Sequence, residues 1–374
     1  MRHIEELFIK RFRRIKNAKL TNLNEINLLV GNNNSGKTSV LEAVELFLNP
    51  ASPANIFQVA RLRERNAMPS VGRLSLFECI SWLFPLDNYQ SKRDDIEISF
   101  LLNGKEIEIG MKLEEELYFE ARQNSLFEEN DLDGEIVSSD SSDEEQRIQK
   151  VNVRYKDSSK KEYNKNIFFT EKDRIPFFKD EEKIISSNFV TPIDHRVRSY
   201  MVRDLNEVIL SGYRPKVINA LKYFDNNIVG IELLMPKSSN NYRSFPIPFI
   251  DHKIMGLTPV TMFGDGVRKA LTLASALVRC QNGILLIDEL ETGIHTSVLG
   301  EYFSWLVNAS KEFNVQIFAT THSLEAIDAV LGATEEISKI SVYRLEQSED
   351  GNIVKRFSGE KLKELRYHFG QDVR

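Results

Sequence analysis

A segment near the N-terminus, GNNNSGKTS, has the residue types and the spacing of a phosphate-binding loop. The pattern G-x-x-x-x-G-K-[ST] is matched here, and an apolar strand enters the loop while a helix leaves it, as the mechanism requires. Backbone N–H groups of such a loop surround a phosphate, and the start of the helix favours its charge. We expect Lys37 to bridge the β- and γ-phosphates of a nucleotide and the Thr38 hydroxyl to bind Mg²⁺. The residues expected at the nucleotide are Gly31, Asn32, Asn33, Asn34, Ser35, Gly36, Lys37, Thr38 and Ser39.

Two acidic residues end a second apolar strand, GILLIDE. Its apolar residues deliver Asp288 to the carboxyl end of a parallel strand, which is where open α/β sheets bind ligands. We expect Asp288 to belong to the Mg²⁺ shell, usually through water. We expect Glu289 to act as the general base that orients the attacking water.

A histidine follows a third apolar strand, VQIFATT. His322 could donate a hydrogen bond to the γ-phosphate and so report its presence. Each of these three segments has a plainer alternative: a glycine turn that starts a helix, a strand that ends in solvated acids, or a structural histidine. Their occurrence together makes these alternatives weaker. The other histidines, which have no metal-ligand spacing, are His3, His195, His252, His295 and His368.

The elements around these residues predict an α/β fold. The last third of the chain alternates amphipathic helices, at 266–279 and 296–310, with short apolar strands at 283–287 and 315–320. Uniformly apolar strands between helices predict a parallel sheet that is covered on both faces. At 96–113, alternating apolar residues around Asn-Gly predict a β-hairpin.

Composition limits the class of protein. The chain has 374 residues, 41% of them hydrophobic, which is enough for one large domain or two ordinary ones. A net charge of −6 argues against a protein coated in nucleic acid, although it allows a local basic patch. Two cysteines without a CxxC pair, no secretory signal and no membrane-length apolar run predict a cytoplasmic protein.

The motifs and their order resemble the ABC-type ATPases of the SMC, RecF and OLD (overcoming lysogenisation defect) group. The matching sequence covers about residues 4–48 and 189–374. The segments FRRIKNAKL and INLLVGNNNSGKTSVLEAV are typical of the OLD-like branch. In this family DELETGIH and ATTHS hold the Walker B, D-loop and switch-histidine positions. The resemblance implies a P-loop NTPase of ABC-ATPase type, with a mixed sheet, an antiparallel β-lobe and a small helical insertion. It also implies that ATP and Mg²⁺ lie between two subunits.

The second half of such a site is a signature loop from the partner subunit. The best candidate is MFGDGVRKALTLASAL, where Gly264, Asp265 and Gly266 begin a helix, so that their amides could face the partner's γ-phosphate. A helix with a glycine cap is the alternative. The LSGGQ sequence is absent, and His295 stands in the D-loop where many relatives have Asp. The glutamine loop has two candidates, Gln58 and Gln90, without a motif around either.

Four segments describe the expected organisation. Residues 1–90 and 236–374 form the ATPase. Residues 91–187 are a strand-rich insertion, whose acidic, serine-rich stretch 127–146 predicts a loosely held loop. Residues 188–235 contain a helical segment that we interpret as a dimerisation element.

The resemblance implies two competing functions. OLD nucleases continue into a Toprim domain, and no such domain follows in this sequence. We therefore expect no nuclease activity of its own. The first function is a regulatory ATPase that serves a separately encoded effector, a nuclease or toxin, in bacterial anti-phage defence. The alternative is a RecF-like ATPase whose closure clamps DNA. In either case the resemblance implies a homodimer or higher homo-oligomer. A GTPase is weaker because the NKxD motif is missing, and a kinase is weaker because Asp288 and Glu289 fit activation of water better than phosphoryl transfer to a substrate. The basic clusters that could touch DNA phosphates are Arg11, Arg13, Arg14, Lys16 and Lys19, and Arg61, Arg63 and Arg65.

Overall fold

A computed structural model describes residues 2–64, 74–86, 93–119, 145–159, 161–170, 184–235 and 246–374. Most of the predicted acidic loop lies outside these residues, and so do Arg65 and Gln90. Within the described ranges no helix has both the length and the apolar character that crossing a membrane requires.

The secondary structure of the described residues alternates strands and helices. The strands are β1 (Ile4–Phe12), β2 (Ile15–Leu20), β3 (Ile26–Val30), β4 (Ile96–Leu102), β5 (Lys105–Phe119), β6 (Glu145–Asp157), β7 (Glu162–Thr170), β8 (Ser187–Val190), β9 (Ile228–Leu234), β10 (Ile247–His252), β11 (Gly256–Pro259), β12 (Ile284–Ile287), β13 (Gln316–Thr320), β14 (Ile340–Ser348) and β15 (Gly351–Ser358). The helices are α1 (Lys37–Leu48), α2 (Pro53–Arg61), α3 (Leu76–Ser81), α4 (Arg198–Leu210), α5 (Arg214–Leu221), α6 (Asp265–Arg279), α7 (Leu299–Glu312), α8 (Leu324–Gly332) and α9 (Gly359–Lys363).

The first sheet is antiparallel and has the strand order β2-β1-β4-β5-β6-β7. Alternate residues of β4 are buried, so one face of this lobe packs on the core. The predicted hairpin is confirmed: Asn103 and Gly104 both have positive φ, 48° and 74°, which matches the twist of a two-residue turn between β4 and β5. Strands β4–β7 extend the sheet that β1 and β2 begin.

The central sheet has the order β15-β14-β3-β13-β12-β8, and all neighbouring pairs except β14–β15 are parallel. Leu28 packs with the helices on one face of it and Leu29 with those on the other, which is why its strands are apolar throughout. Because β3, β12, β13 and β8 run in the same direction, the segments that follow them meet at one edge. A third sheet contains β9, β10 and β11.

Two local features shape the elements near the N-terminus. The chain reverses after β1 at Arg13, with φ 51°, and continues as β2. Helix α1 ends at Leu48, and Pro53 is the first residue of α2. Proline suits this position because it has no N–H to leave unpaired, and the Ser52 side chain caps the helix.

Candidate functional site

The loop between β3 and α1 has a backbone that requires glycine. Gly31 has φ 138° and Gly36 has φ 101°, which are values that other residues rarely adopt. A Cβ at Gly31 would lie 2.3 Å from the carbonyl oxygen of Leu345, so the neighbouring strand also excludes a side chain there. Gly36 then serves as the N-cap of α1. The loop therefore directs its amides and the start of α1 towards the edge of the central sheet.

Lys37 is folded back on this loop. Its Nζ donates hydrogen bonds to the carbonyl oxygens of Gly31, at 2.8 Å, and Asn32, at 2.9 Å, and its side chain is buried. Burial lowers the pKa of the Lys37 ammonium, while the nearby carboxylates of Asp288 and Glu289 act in the opposite direction. The loop thus holds a partly desolvated cation where a phosphate would bind.

Thr38 and Asp288 meet across the central sheet. The Thr38 hydroxyl donates to Asp288 Oδ1 at 3.0 Å, and the Thr320 hydroxyl, from the end of β13, donates to the same oxygen at 2.7 Å. Burial raises the pKa of the Asp288 carboxyl, and the two hydroxyls lower it again. Three strands of one sheet therefore deliver two hydroxyls and one carboxylate to a single point.

The residues Thr38 and Asp288 fit a magnesium ion. Both offer oxygen, and Mg²⁺ in nucleotide enzymes is usually held by one or two protein oxygens, together with water and substrate phosphates. The described residues contain no group of three or more His, Cys, Asp or Glu side chains arranged to hold a metal. The site thus suits an ion that arrives with a nucleotide.

Glu289 adjoins this point with an unusual backbone. Its φ is 51°, and its N–H donates to Thr320 Oγ1 at 2.8 Å. Its carboxylate accepts a hydrogen bond from the Thr292 hydroxyl at 2.8 Å, and the residue does not line the cavity described next. The structure therefore places the predicted base beside the site, with its carboxylate bound to the following loop.

A cavity of about 710 Å³ joins these groups, which is within the usual range for small-molecule sites. It includes His322, whose backbone N–H donates to Glu291 Oε1 at 2.9 Å. The cavity is lined by Arg13, Arg14, Asn33, Asn34, Ser35, Gly36, Lys37, Thr38, Ser39, Glu42, Leu62, Arg63, Phe189, Thr191, Pro192, Ile193, Asp288 and His322. Gln58, one of the two candidates for the glutamine loop, is exposed and does not belong to this lining.

Arginines form one wall of the cavity around a buried carboxylate. Arg63 makes a bidentate pair with Glu42, at 2.7 and 2.8 Å, and also donates to Ser39 Oγ at 2.8 Å. Arg13 Nε lies 2.8 Å from Glu42 Oε2, the oxygen that Arg63 Nη2 also contacts. Arg13, Arg14 and Arg63, which belong to the basic clusters of the sequence, all line this cavity.

Asn352, in β15, was not expected at the site. Its Nδ2 donates to the carbonyl oxygen of Ser35 at 3.0 Å, and its Oδ1 accepts from the N–H of Lys16 at 3.0 Å. The side chain therefore links the phosphate loop to the β1–β2 hairpin through these two hydrogen bonds. No local sequence pattern marks it, because the contact depends on how β15 pairs with β14.

The signature candidate lies elsewhere. Gly264 is the N-cap of α6, and none of Gly264, Asp265 and Gly266 lines the cavity of its own subunit. Asp265 instead pairs with Arg196 and Arg268. In the other predicted partner segment, His295 caps a short 3₁₀ helix by accepting from the N–H of Ser297.

The chain is similar to a known protein family and to individual known proteins. Residues 26–328 match the family described as "AAA domain, putative AbiEii toxin, Type IV TA system". A Helicobacter pylori protein named ATP/GTP phosphatase is 24% identical, and the match covers 98% of each chain. An uncharacterised protein of Methanocaldococcus jannaschii is 37% identical over 114 residues, which are 30% of this chain and 98% of that protein.

The fold is similar to a solved structure. It matches the crystal structure of the SmcHead bound to the C-winged helix domain of ScpA with a TM-score of 0.51 and 11% identity, over 96% of this chain and 100% of that one. The predicted fold class, a mixed α/β fold of P-loop ATPase type, is thereby confirmed.

Proposed function

The chain belongs to the AAA-domain family that it matches over residues 26–328, and we propose that it binds and hydrolyses ATP at the cavity around Lys37. The observation that carries the proposal is the meeting of Thr38 and Asp288 beside the buried Lys37 ammonium. These residues lie in separate parts of the sequence, and a P-loop ATPase needs them at one point. The name of the Helicobacter pylori relative supports the same activity.

Each group has a defined task in hydrolysis. Lys37 exchanges the two loop carbonyls for the β- and γ-phosphates, and His322 donates to the γ-phosphate. Thr38 and Asp288 would hold Mg²⁺, which would supply positive charge to neutralise the phosphates. Glu289 leaves Thr292 and orients the attacking water.

Phosphate release by the purified protein, measured with ATP in the presence and absence of Mg²⁺, tests this activity. Lys37→Ala removes the cation that binds the phosphates, so calorimetry should show the loss of tight ATP binding and the assay should show no hydrolysis. Unchanged ATP affinity in this variant would reject the phosphate loop. Lys10→Ala is a suitable control because Lys10 is exposed and pairs with Glu97 on the antiparallel sheet.

A second copy of the chain is needed to complete the site in this proposal. The loop Gly264–Gly266 does not line the cavity of its own subunit, and the proposal assigns it to the nucleotide of a partner. The helix α6 begins there, so its free amides suit a γ-phosphate. ATP binding then favours a closed dimer, and the dimer loosens after hydrolysis. The segment 188–235, with α4 and α5, is the proposed dimerisation element.

We propose that in the cell the closed dimer regulates a separately encoded effector, a nuclease or toxin. We also propose that the chain belongs to the OLD-like branch. The family description, which names a toxin and a type IV toxin–antitoxin system, supports this role. The RecF-like alternative loses support because Arg13, Arg14 and Arg63 line the cavity. Pull-down from cells should recover an effector with the ATP-loaded protein. Salt-dependent DNA binding stimulated by ATP would favour the alternative.

A further inference from the structure

The segment 364–374, which follows α9, packs against helix α8. The Arg366 guanidinium makes a bidentate pair with Asp328 of α8, at 2.8 and 2.7 Å. A bidentate arginine pair fixes the geometry of both partners. The same arginine also donates to the carbonyl oxygen of Gln371 at 2.8 Å. Arg366 therefore holds the second half of the segment close to α8.

Val373 anchors this second half in the core. Its side chain is 2% exposed, and it belongs to the same apolar cluster as Ala326 and Ile327 of α8. Because burial of an apolar side chain holds a segment in place, the neighbouring residue, Arg374, starts from a fixed point although it lies at the surface.

Arg374 contacts a residue of the proposed ATP site. Its Nη1 donates to the carbonyl oxygen of His322 at 2.8 Å. Its Nε and Nη2 donate to the two carboxylate oxygens of Asp372, at 3.1 and 2.8 Å. These hydrogen bonds lower the pKa of the Asp372 carboxyl to about 2, so the pair is charged at neutral pH. The carboxylate therefore orients the planar guanidinium towards His322.

Both backbone groups of His322 are thus bound by side chains from distant parts of the chain. Its N–H donates to Glu291 Oε1 at 2.9 Å, and its carbonyl oxygen accepts from Arg374. The rotamers that a side chain can adopt depend on the conformation of its backbone. Two hydrogen bonds that fix the backbone of His322 therefore restrict the direction of its imidazole, and His322 lines the nucleotide cavity.

The Arg374 contact is too exposed to act mainly through stability. The side chain is 40% exposed, and polar contacts at the surface contribute little to folding. At a binding site, by contrast, a small displacement of a group changes how well it meets its ligand. Loss of Arg374 should therefore affect the action of His322 more than the stability of the fold.

We propose that Arg374 is a positioning residue that holds His322 in the orientation that meets the γ-phosphate of ATP. The inference rests on the proposed function, because that function gives His322 its place at the γ-phosphate. It also concerns specificity: a well-placed His322 favours a nucleotide with three phosphates over one with two. The segment 364–374 thereby supports the site, although the cavity lining includes none of its residues.

The test is Arg374→Met, which removes the donor and keeps much of the side-chain length. We expect the Kd for a non-hydrolysable ATP analogue to rise about fivefold, which is the effect of one hydrogen bond of ordinary strength. The Kd for ADP should change less than about twofold, because ADP has no γ-phosphate. Calorimetry measures both constants. Arg374→Lys retains a charged donor, so it should recover part of the lost affinity for the ATP analogue.

Arg356→Met is the matched control. Arg356 is exposed and also donates to a backbone carbonyl oxygen, that of Asn22, at 3.2 Å, but it does not line the cavity. This variant should bind both nucleotides as the wild type does. The melting temperature of Arg374→Met should stay close to that of the wild type, because the lost contact lies at the surface.

Coupling to His322 provides a second measurement. His322→Ala removes the imidazole, so Arg374→Met should cost no further affinity for the ATP analogue in that background. A full additional loss there overturns the inference. Wild-type affinity of Arg374→Met for the ATP analogue overturns it too, and so does an equal loss of affinity for the ATP analogue and ADP. Failure of the proposed function is recognised separately, since the wild-type protein would then bind the ATP analogue no better than Lys37→Ala does.

Discussion

The hydroxyl of Thr38 donates to Asp288 at 3.0 Å, although 250 residues separate the two in the chain. The contact joins the residue after the phosphate loop to the residue after β12, across strands β3 and β13 of the central sheet. The two oxygens that we propose to hold Mg²⁺ are therefore set side by side by the fold. Such preorganisation reduces the cost of assembling the site when a nucleotide arrives.

The Asp288 carboxylate should destabilise the ligand-free protein at neutral pH. Burial raises its pKa, and a carboxyl group whose pKa is raised in the folded state contributes stability that is lost as the pH rises through that pKa. Asp288→Asn should therefore raise the melting temperature at pH 7 by a few degrees. The gain should shrink as the pH falls towards about 4, where the carboxyl of the unfolded chain is protonated. Thermal denaturation across this range measures the difference.

A matched control is Asp328→Asn, because Asp328 is a carboxylate paired with Arg366 in a bidentate contact. This change removes a favourable pair and should give no gain at pH 7. Asp288→Asn should also abolish Mg²⁺-dependent hydrolysis. A lower melting temperature for Asp288→Asn at pH 7 would contradict the assignment of a buried, destabilising charge.

Glu289→Gln should trap ATP in a closed dimer. The amide preserves the shape of the side chain but cannot accept a proton from the attacking water, so hydrolysis should slow by about 100-fold or more. Because ATP then stays bound, size-exclusion chromatography with ATP and Mg²⁺ should show a species of twice the monomer mass. Hydrolysis at the wild-type rate would show that Glu289 is not the base.

The double variant Lys37→Ala, Glu289→Gln serves as the control for this trap. It lacks the ammonium that binds the phosphates, so it should remain monomeric at the same nucleotide concentration. A dimer that forms in both variants and without ATP would show that assembly does not depend on the nucleotide, which contradicts the closure mechanism.

The parts of the site that follow strands could be predicted from the sequence. Lys37, Asp288 and His322 each lie in the segment that follows an apolar strand, and the rule that parallel strands end at one edge brings them together. The spacing within the phosphate loop also has a local cause, since Gly36 must adopt a φ of 101°. Local sequence carries this information, and the structure brings these residues to one cavity.

The arginine wall could not be predicted in this way. Arg63 binds Glu42 across 21 residues, after an intervening helix that the sequence did not indicate. From the sequence alone, Arg63 and Arg13 belonged to basic clusters, which usually face solvent. Only the packing of α2 on α1 shows that a buried carboxylate directs them towards the cavity. The position of the Glu42 carboxylate therefore determines where these arginine side chains lie.

Asn352 should control ATP affinity although it lies outside the cavity lining. It holds the carbonyl of Ser35 and the N–H of Lys16, both at 3.0 Å, and it is itself buried. Asn352→Ala leaves both backbone groups without this partner, at a cost of about 1 kcal/mol each. We expect the free energy of unfolding to fall by about 2 kcal/mol and the Kd for ATP to rise about tenfold, measured by urea denaturation and calorimetry.

Asn352→Asp separates positioning from simple loss of stability. The carboxylate can still accept from Lys16, but it has no donor for the Ser35 carbonyl and adds a negative charge beneath a loop that binds phosphates. ATP affinity should therefore fall further than in Asn352→Ala. Asn152→Ala is the control, because this asparagine lies on the antiparallel sheet and pairs with Asn166 at the surface. If Asn352→Asp binds ATP as tightly as the wild type, the phosphate loop keeps its shape without the Asn352–Ser35 hydrogen bond, and the positioning role is wrong.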